Sequence, residues 1–520
     1  MFAIIFAGVF LAHLALRLLN LPYYWDEAGY YTAVARDFLL TGSLIPHTTV
    51  SNAHPPLVMV WLALWWKAFG FAPLVTRSAM LVVAAFALLG VFRLAERVAS
   101  VEVAIAATLC TAVYPVFFAQ SSLAQVDLAA AGLICWGLWA YLDARPVSTA
   151  VLFSLATLAK ETAIIAPAAL VGWEIVRWSL RKWNVLENVR PMQASTPSRR
   201  IISLLIPFLP LLAWYAYHYA RTGYIFGNPE FFRYNVTGTL NLTRFSIALL
   251  LRLWQAFGYL HLWILTVGML LAMLLPPVKD NGAERHRIAI PAQIVFYVII
   301  AAYVVSMALI GGAVLARYML PAIPLVIIVG VSTLRRRLRV WPAAVAFVAA
   351  AFVVAWFWNP PYGFSPEDNL AYRDFVVLHQ DAERFLEARY PMARVLTAWP
   401  SSNELTTPWL GYVTRPMRVA QIENFSLNNV LGAADLRSQA LRSKYDIALV
   451  FSTKYEPPHP LLERWKTWEE LKVRYFDYHR DLPPQVAARM LGGKIVFSES
   501  RTGLWIAVIE MERPEIQEAE

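Results

Sequence analysis

Two adjacent acids, Asp26 and Glu27, stand where the first long apolar stretch of the chain ends. Carboxylates are among the side chains that transfer protons in catalysis. Asp26 also has an ordinary explanation, because an acid at a helix N-terminus accepts backbone N–H bonds and stabilises the helix by about 1 kcal/mol. Neighbouring residues on a helix do not face each other, so two functional acids at these positions point at different partners.

Five further titratable side chains end or interrupt strongly apolar stretches: His54, Asp127, Lys160, Glu161 and Arg317. A charge costs roughly 2.5 to 3.5 kcal/mol at the centre of a membrane-spanning helix, and such residues usually face a cavity or a partner. One shared cavity at the outer membrane surface accommodates all seven residues. Each also has a structural alternative, such as capping a helix, forming a turn or, for Arg317 with Tyr318, anchoring a span at the interface.

The elements that position these residues are membrane spans. The chain has 520 residues, of which 58% are hydrophobic and 15% charged, with a mean hydropathy of +0.49. About 20 apolar residues cross the hydrocarbon core as a helix, and runs of this kind recur from Phe2 to Trp358. The pattern predicts a polytopic α-helical membrane protein with about 11 spans, at residues 2–21, 74–94, 101–118, 128–142, 148–160, 162–178, 201–220, 258–275, 288–310, 318–334 and 340–358.

The distribution of charge predicts the orientation of these spans. Segments rich in lysine and arginine stay on the cytoplasmic side, and an alternating topology that satisfies this rule puts the N-terminus inside and the tail after Trp358 outside. We expect an integral protein of a bacterial plasma (inner) membrane. The net charge of +10 is explained by this topology, so nucleic acid is not an expected partner. Cys110 and Cys135 lie inside apolar runs and indicate neither a disulfide nor a metal site.

Outside the spans, three segments are informative. The first outer loop, residues 22–73, predicts two helices: one that starts near Asp26 and stops at Gly42, and one that begins at a proline pair and lies in the headgroup layer. The outer loop 221–257 carries three arginines that are either further phosphate or glycan contacts or a solvated face, and we favour the solvated face: Arg233, Arg244 and Arg252. Residues 359–520 alternate short apolar runs with helical stretches, which predicts an extracytoplasmic α/β domain.

The ordered set of motifs resembles a known superfamily. DEAGYYTAVARDFLLTG followed by HPPLVMVWLALW is similar to the first outer loop of the GT-C glycosyltransferases, especially the dolichyl-phosphate-mannose protein mannosyltransferase and aminoarabinose-transferase-like family. SLAQVDLAAAG, ATLAKETAIIAP and ARYMLPAIP resemble later landmarks of the family in the same order. The resemblance covers residues 1–358, the transmembrane catalytic module. This chain has His54 where the aminoarabinose transferases carry lysine before the proline pair.

The resemblance implies a membrane glycosyltransferase. Such enzymes move a sugar from a polyprenyl-phosphate donor to a lipid, glycan or protein acceptor at the outer membrane face, with inversion at the anomeric carbon. By position in the motifs, Asp26 is the candidate general base, and Glu27 orients the acceptor or holds the loop.

The remaining site residues are assigned on the same basis. The donor phosphate is expected to contact His54, Arg317 and, more weakly, Lys160, with support from Glu161 and Tyr318. Asp127 supports the base or, together with Asp26, holds a divalent cation such as Mg²⁺ or Mn²⁺. Some members of the superfamily need a metal and others do not, so a cofactor is left open.

Two alternative functions compete with this interpretation. A transporter or flippase of a lipid-linked substrate would be expected to have charges near the middle of the membrane, broken spans and an internal repeat. In this sequence the charges lie on one side of the predicted membrane and no repeat is evident. A non-catalytic scaffold whose outer domain binds a partner is the other alternative, and retention of both Asp26 and Glu27 argues against it. The sequence leaves open the sugar, the acceptor, the metal requirement and the oligomeric state.

Overall fold

The computed structural model describes residues 1–182, 197–439, 445–462 and 464–512. The chain divides into two compact units. The first, which we call the helical unit, contains Met1–Leu19 and Tyr30–Trp358; the second, the C-terminal unit, contains Asn20–Gly29 and Asn359–Glu520. The short segment that carries Asp26 and Glu27 therefore belongs to the C-terminal unit, although the rest of that unit begins more than three hundred residues later in the chain.

In the described residues, the helical unit contains apolar helices and a small two-stranded hairpin. Its helices are α1 (Phe2–Ala15), α2 (Thr32–Thr41), α3 (Leu57–Phe69), α4 (Pro73–Val98), α5 (Val101–Val113), α6 (Pro115–Gln120), α7 (Asp127–Leu142), α8 (Pro146–Ala159), α9 (Ile165–Lys182), α10 (Pro197–Leu205), α11 (Phe208–Thr222), α12 (Pro229–Asn235), α13 (Leu242–Phe257), α14 (Leu262–Met273), α15 (Ile290–Leu309), α16 (Ile323–Arg337) and α17 (Trp341–Val354). The hairpin pairs β1 (Lys279–Asp280) with β2 (Ala283–Glu284).

Every predicted span overlaps one of these helices. Among the described residues, four helical stretches have the length and apolar composition needed to cross a membrane: Pro73–Val98, Ser198–Thr222, Leu242–Met273 and Ile290–Leu309. The other apolar helices have 10 to 17 residues, fewer than the roughly 20 that one straight crossing requires. The total of about eleven spans stays a prediction.

The largest difference from the sequence-based expectation lies in residues 221–257. This segment was expected to be an outer loop, but α12 and α13 occupy much of it, and α13 continues into the apolar stretch that ends at Met273. Arg244 and Arg252 interrupt the apolar pattern of α13, which explains why no helix was predicted there. The solvated face is wrong for these two arginines, since they are only 2% and 0% exposed; Arg233 is exposed.

Residues 22–73 form the two helices that the sequence predicts, α2 and α3. A π-helical turn, Glu27–Tyr31, precedes α2. Gly42 ends α2 with a φ of 72°, a left-handed conformation that glycine adopts without steric cost. Helix α3 begins directly after Pro56, because the proline pair fixes the backbone at its start.

The C-terminal unit contains a five-stranded mixed sheet in the order β4-β3-β5-β7-β6. Strands β4, β3 and β5 are parallel, whereas β7 runs antiparallel to both β5 and β6. The strands are β3 (Arg394–Thr397), β4 (Arg418–Gln421), β5 (Ile447–Phe451), β6 (Gly493–Arg501) and β7 (Leu504–Met511). The helices are α18 (Ala371–Arg389), α19 (Ser401–Thr406), α20 (Leu427–Gln439), α21 (Lys466–Phe476) and α22 (Pro484–Leu491).

Four of these strands are the apolar runs from which an α/β domain was expected, and α18 is the predicted first helix of the tail. Every residue of β5 is buried, which accounts for its continuous apolar sequence, since a central strand covered on both faces does not alternate. Strand β4 was not predicted; its four residues, RVAQ, are only half apolar and half-buried or exposed.

Candidate active site

Three of the predicted site residues meet in the helical unit. Asp127 is the first residue of α7, Lys160 follows the last residue of α8, and Arg317 lies in a 3₁₀ turn between α15 and α16. The Lys160 ammonium forms an ion pair with Oδ1 of Asp127, and Nε of Arg317 lies 3.3 Å from Oδ2. All three are buried, at 3%, 6% and 2% exposure. Charges removed from water in this way persist only when they are paired.

The ring of Tyr318 lies among three cations. Nζ of Lys160 is 4.0 Å from the ring centroid, and the guanidinium carbons of Arg317 and Arg252 are 5.6 and 5.5 Å from it. Distances below about 6 Å permit a favourable cation–π interaction. We call Asp127, Lys160, Arg252, Arg317 and Tyr318 the cationic cluster. Its side chains concentrate positive charge around a single aromatic ring and a single carboxylate.

His54 and Glu161 form a second pair in the same unit. Nδ1 of His54 lies 2.9 Å from Oε2 of Glu161, and the two side chains are 13% and 24% exposed. The rings of Tyr31 and Phe231 are 5.7 and 5.6 Å from the imidazole. Glu161 directly follows Lys160 of the cationic cluster in the chain. His54, predicted as a phosphate contact, thus already has a carboxylate partner.

Asp26 and Glu27 lie in the segment Asn20–Gly29, which packs on later residues of the C-terminal unit. The indole of Trp25 meets Phe375 and Trp399 edge-to-face, at centroid distances of 5.6 and 4.7 Å. The hydroxyl of Tyr412 donates to the carbonyl of Tyr23 over 3.1 Å. A Cβ added at Gly29 would lie 2.9 Å from the Trp399 ring, so only glycine allows this close approach.

The two adjacent acids have different surroundings. Glu27 is fully buried, and its Oε2 accepts a 2.8 Å hydrogen bond from the backbone N–H of Tyr24, while its own N–H donates to the Tyr24 carbonyl over 2.9 Å. Glu27 therefore stabilises the turn that presents its neighbour. Asp26 is half-buried, so it is the more exposed of the two acids.

Comparison with known proteins rests on structure. No family model matches the chain, and no curated protein matches it. Two crystal structures of ArnT from Cupriavidus metallidurans are similar to this chain, over 98% of this chain and 97% of theirs. The complex with undecaprenyl phosphate has a TM-score of 0.53 and 14% sequence identity. The apo form has a TM-score of 0.51 and 15% sequence identity. The chain has the GT-C fold. The archaeal oligosaccharyltransferase AglB from Archaeoglobus fulgidus, with an inhibitory peptide and dolichol-phosphate, gives a TM-score of 0.48 at 13% identity over 97% of this chain and 74% of its own.

Within the GT-C fold of this chain, two arginines that were expected on a solvated face hold the loop before Arg317. Nη1 of Arg252 donates to the Leu315 carbonyl and to Oε1 of Gln255, both over 2.7 Å. Nη2 of Arg244 donates to the Gly311 carbonyl over 2.7 Å. Helix α13 thus fixes the backbone that leads into the cationic cluster.

A signal for these residues was present in the sequence. The buried face of α13 contains Arg244, Ala248, Arg252 and Ala256, which recur every four residues as on one side of a helix. Gln125, which was not singled out either, accepts a 2.6 Å hydrogen bond from Nη1 of Arg317. Nothing in its surrounding sequence distinguishes it, because its partner is 192 residues away.

The sequence suggested that Asp26 and Asp127 could hold a divalent cation. The surroundings of Asp127 fit such an ion poorly, because its carboxylate already contacts two positively charged side chains. Oδ1 of that carboxylate contacts the Lys160 ammonium and Oδ2 lies 3.3 Å from Nε of Arg317. A metal ion bound there would have to displace both cations or accept their repulsion. We therefore derive no step of the chemistry through a metal at this position.

Proposed function

We propose that the chain is a membrane glycosyltransferase that moves a sugar from a polyprenyl-phosphate donor to a hydroxyl group of a lipid, glycan or protein, at the outer membrane face and with inversion. One observation carries the proposal: buried Lys160 and Arg317 meet at Asp127 in a fold shared with a protein whose crystal structure contains undecaprenyl phosphate. A polyprenyl phosphate needs cations for its head and an apolar surface for its tail, and this unit supplies both residue types.

The charge change of the reaction explains the need for cations. When the bond between the anomeric carbon and the phosphate oxygen breaks, the phosphodiester becomes a phosphomonoester and gains negative charge. Preorganised cations stabilise this charge as it develops. One cation at about 4 Å contributes on the order of 4 kcal/mol at an effective dielectric of 20. Lys160 and Arg317 are the proposed contacts, and Asp127 holds both in place.

Asp26 is the proposed general base. The acceptor oxygen attacks the anomeric carbon from the face opposite the phosphate, and the acceptor proton passes to the Asp26 carboxylate as the new C–O bond forms. Glu27, buried and bonded to the backbone of Tyr24, shapes the turn and takes no proton in this scheme. His54 is a further proposed phosphate contact, acting from its pair with Glu161.

The organisation of the domains follows from the same proposal. Residues 1–358 form the catalytic module with about 11 spans, including the first outer loop, 22–73, and residues 359–520 form an extracytoplasmic α/β domain. The boundary between the two compact units after Trp358 supports this division. The expected setting is a bacterial inner membrane with the N-terminus inside.

The test is release of polyprenyl phosphate from a panel of radiolabelled polyprenyl-phosphate sugars by purified protein, with host membrane extract as the source of acceptor. Asp26→Asn is expected to abolish release, whereas Lys67→Ala, an exposed position on α3, is expected to leave it intact. Movement of intact donor across vesicle membranes without cleavage would support the transporter alternative. No release from any donor by folded protein would overturn the proposal.

A further inference from the structure

The C-terminal unit buries one histidine and two glutamates beside each other. His379 and Glu383 lie one turn apart on α18, and Glu404 lies on α19. The three side chains are 1%, 0% and 0% exposed. Residues four apart project from the same face of a helix, so α18 presents two side chains to a single carboxylate from α19. We call His379, Glu383, Glu404 and Ser401 the buried His-Glu cluster.

The distances within the cluster are those of a compact ligand set. Nδ1 of His379 lies 2.7 Å from Oε2 of Glu404 and 4.0 Å from Oε1 of Glu383. The hydroxyl of Ser401 is 3.0 Å from Nδ1 of His379, 3.0 Å from Oε1 of Glu383 and 2.9 Å from Oε2 of Glu404. One ligand atom from each of the three titratable residues fits within 4.8 Å of the others.

Within the cluster, His379 is the basic side chain beside the two carboxylates. In the described part of the chain no lysine or arginine forms an ion pair with Glu383 or Glu404. Each of the three residues also keeps one buried polar atom without a hydrogen-bond partner among the described residues: Nε2 of His379, Oε2 of Glu383 and Oε1 of Glu404. Two carboxylates buried without a lysine or arginine beside them are costly.

We propose that His379, Glu383 and Glu404 bind a zinc ion, with the Ser401 hydroxyl completing a closed, four-coordinate site. Bonds of about 2.0 to 2.2 Å from nitrogen and oxygen to tetrahedral zinc separate the ligand atoms by roughly 3.3 to 3.6 Å. Most of the observed separations between ligand atoms are shorter than this range, and the one between His379 and Glu383 is longer. Zinc binding therefore requires side-chain shifts below about 1 Å. One divalent ion also neutralises both carboxylates. Magnesium, which demands about six oxygen ligands in octahedral geometry, fits this nitrogen-containing, dry site poorly.

The site lies directly behind the segment that carries Asp26. The imidazole of His379 stacks on Phe375 at a centroid distance of 3.9 Å, and Phe375 in turn contacts Tyr24 and Trp25 at 5.4 and 5.6 Å. A bound ion would fix His379 and, through Phe375, the aromatic surface on which the Asn20–Gly29 segment rests. The metal is thus a positioning element that touches no substrate, and its existence does not depend on the proposed transferase activity.

The experiment measures metal content in full-length protein prepared without a polyhistidine tag. Protein exposed to zinc and then dialysed is expected to hold about one ion per chain, because three converging protein ligands give a stable site. Glu383→Gln and Glu404→Gln are expected to hold less than about a tenth of that amount. The matched control is Asp381→Asn, which removes a partly exposed carboxylate from the same helix and should keep the ion.

A second measurement does not depend on whether the variants fold. The unfolding midpoint of the wild-type protein should fall after treatment with a chelator and recover when zinc is added back, since a ligand that binds only the folded state stabilises it. Two results would overturn the proposal. One is wild-type protein that retains no ion after exposure to zinc, cobalt or manganese; the other is an ion that remains bound in the Glu383→Gln, Glu404→Gln double variant.

Discussion

Replacing Arg317 with glutamine tests the proposed phosphate site most directly. The change removes one charge that is 2% exposed and lies beside Asp127, while glutamine still offers a hydrogen-bond donor toward Gln125. Asp127 keeps its ion pair with Lys160, so the carboxylate is not left buried and unpaired. The variant should therefore fold, and its defect should be confined to the reaction.

The magnitude follows from the position of the charge. A cation about 4 Å from a phosphate oxygen contributes on the order of 4 kcal/mol at an effective dielectric of 20. Since each 1.36 kcal/mol changes a rate tenfold, complete loss of that stabilisation lowers kcat by about a thousandfold. Lys160, on the other side of Asp127, remains and compensates for part of the loss. We expect a fall of roughly a hundred- to a thousandfold.

The assay is release of polyprenyl phosphate under saturating donor, so that kcat is measured separately from KM. Arg93→Gln is the matched control, because Arg93 lies on α4 with its side chain 48% exposed and pairs with Glu96 at the surface. Arg317→Lys should retain more activity than Arg317→Gln, since it keeps the charge but loses the planar donor geometry. An Arg317→Gln enzyme with more than about a tenth of wild-type kcat would refute the assignment of Arg317 to the leaving phosphate.

Three further predictions concern residues around the site and the C-terminal unit. Gly29→Ala should lower kcat about tenfold or more, because the added Cβ would lie 2.9 Å from the Trp399 ring and displace the segment that carries Asp26. The control is Gly8→Ala, because no atom lies within 4 Å of a Cβ added there. Arg252→Met should weaken activity by loosening the loop at Leu315, with an expected loss of about 1 to 3 kcal/mol in unfolding free energy, measured by denaturation in detergent. Burial lowers the pKa of Lys454 to about 8, from 10.5 in the unfolded chain, so the charged lysine destabilises the fold at low pH and this cost shrinks as the pH rises from 8 to 10.5. Lys454→Met should therefore raise the unfolding midpoint more at pH 7.5 than at pH 9.5. An equal gain at both pH values would contradict this.

The helices and strands with strong local patterns could be predicted from the sequence. Long apolar runs gave the helices of the helical unit, and Gly42 and the proline pair before Leu57 marked helix ends because they restrict the backbone locally. Helix α13 was missed for a physical reason. A buried arginine lowers the apparent hydropathy of its helix, although in the folded chain its charge is satisfied by backbone carbonyls.

The residues of the candidate site could be singled out from the sequence, but their arrangement could not. The high cost of charges in apolar segments singled out Asp127, Lys160 and Arg317 individually. Their pairing depends on contacts across 33 and 190 positions of the chain, for which a single sequence has no local signature. The same limit applies to the buried His-Glu cluster. The i, i+4 spacing of His379 and Glu383 is visible in the sequence, whereas the approach of Glu404 is not.

The packing of Asn20–Gly29 on residues such as Phe375, Trp399 and Tyr412 has a consequence for biosynthesis. At 5 to 20 residues per second, the ribosome makes Tyr412 on the order of tens of seconds after Asp26. During that interval the segment has emerged but lacks the surface on which it rests. A nascent or prematurely terminated chain therefore lacks the surface that supports the turn at Asp26. Under the proposed function, such a chain is inactive until synthesis is complete.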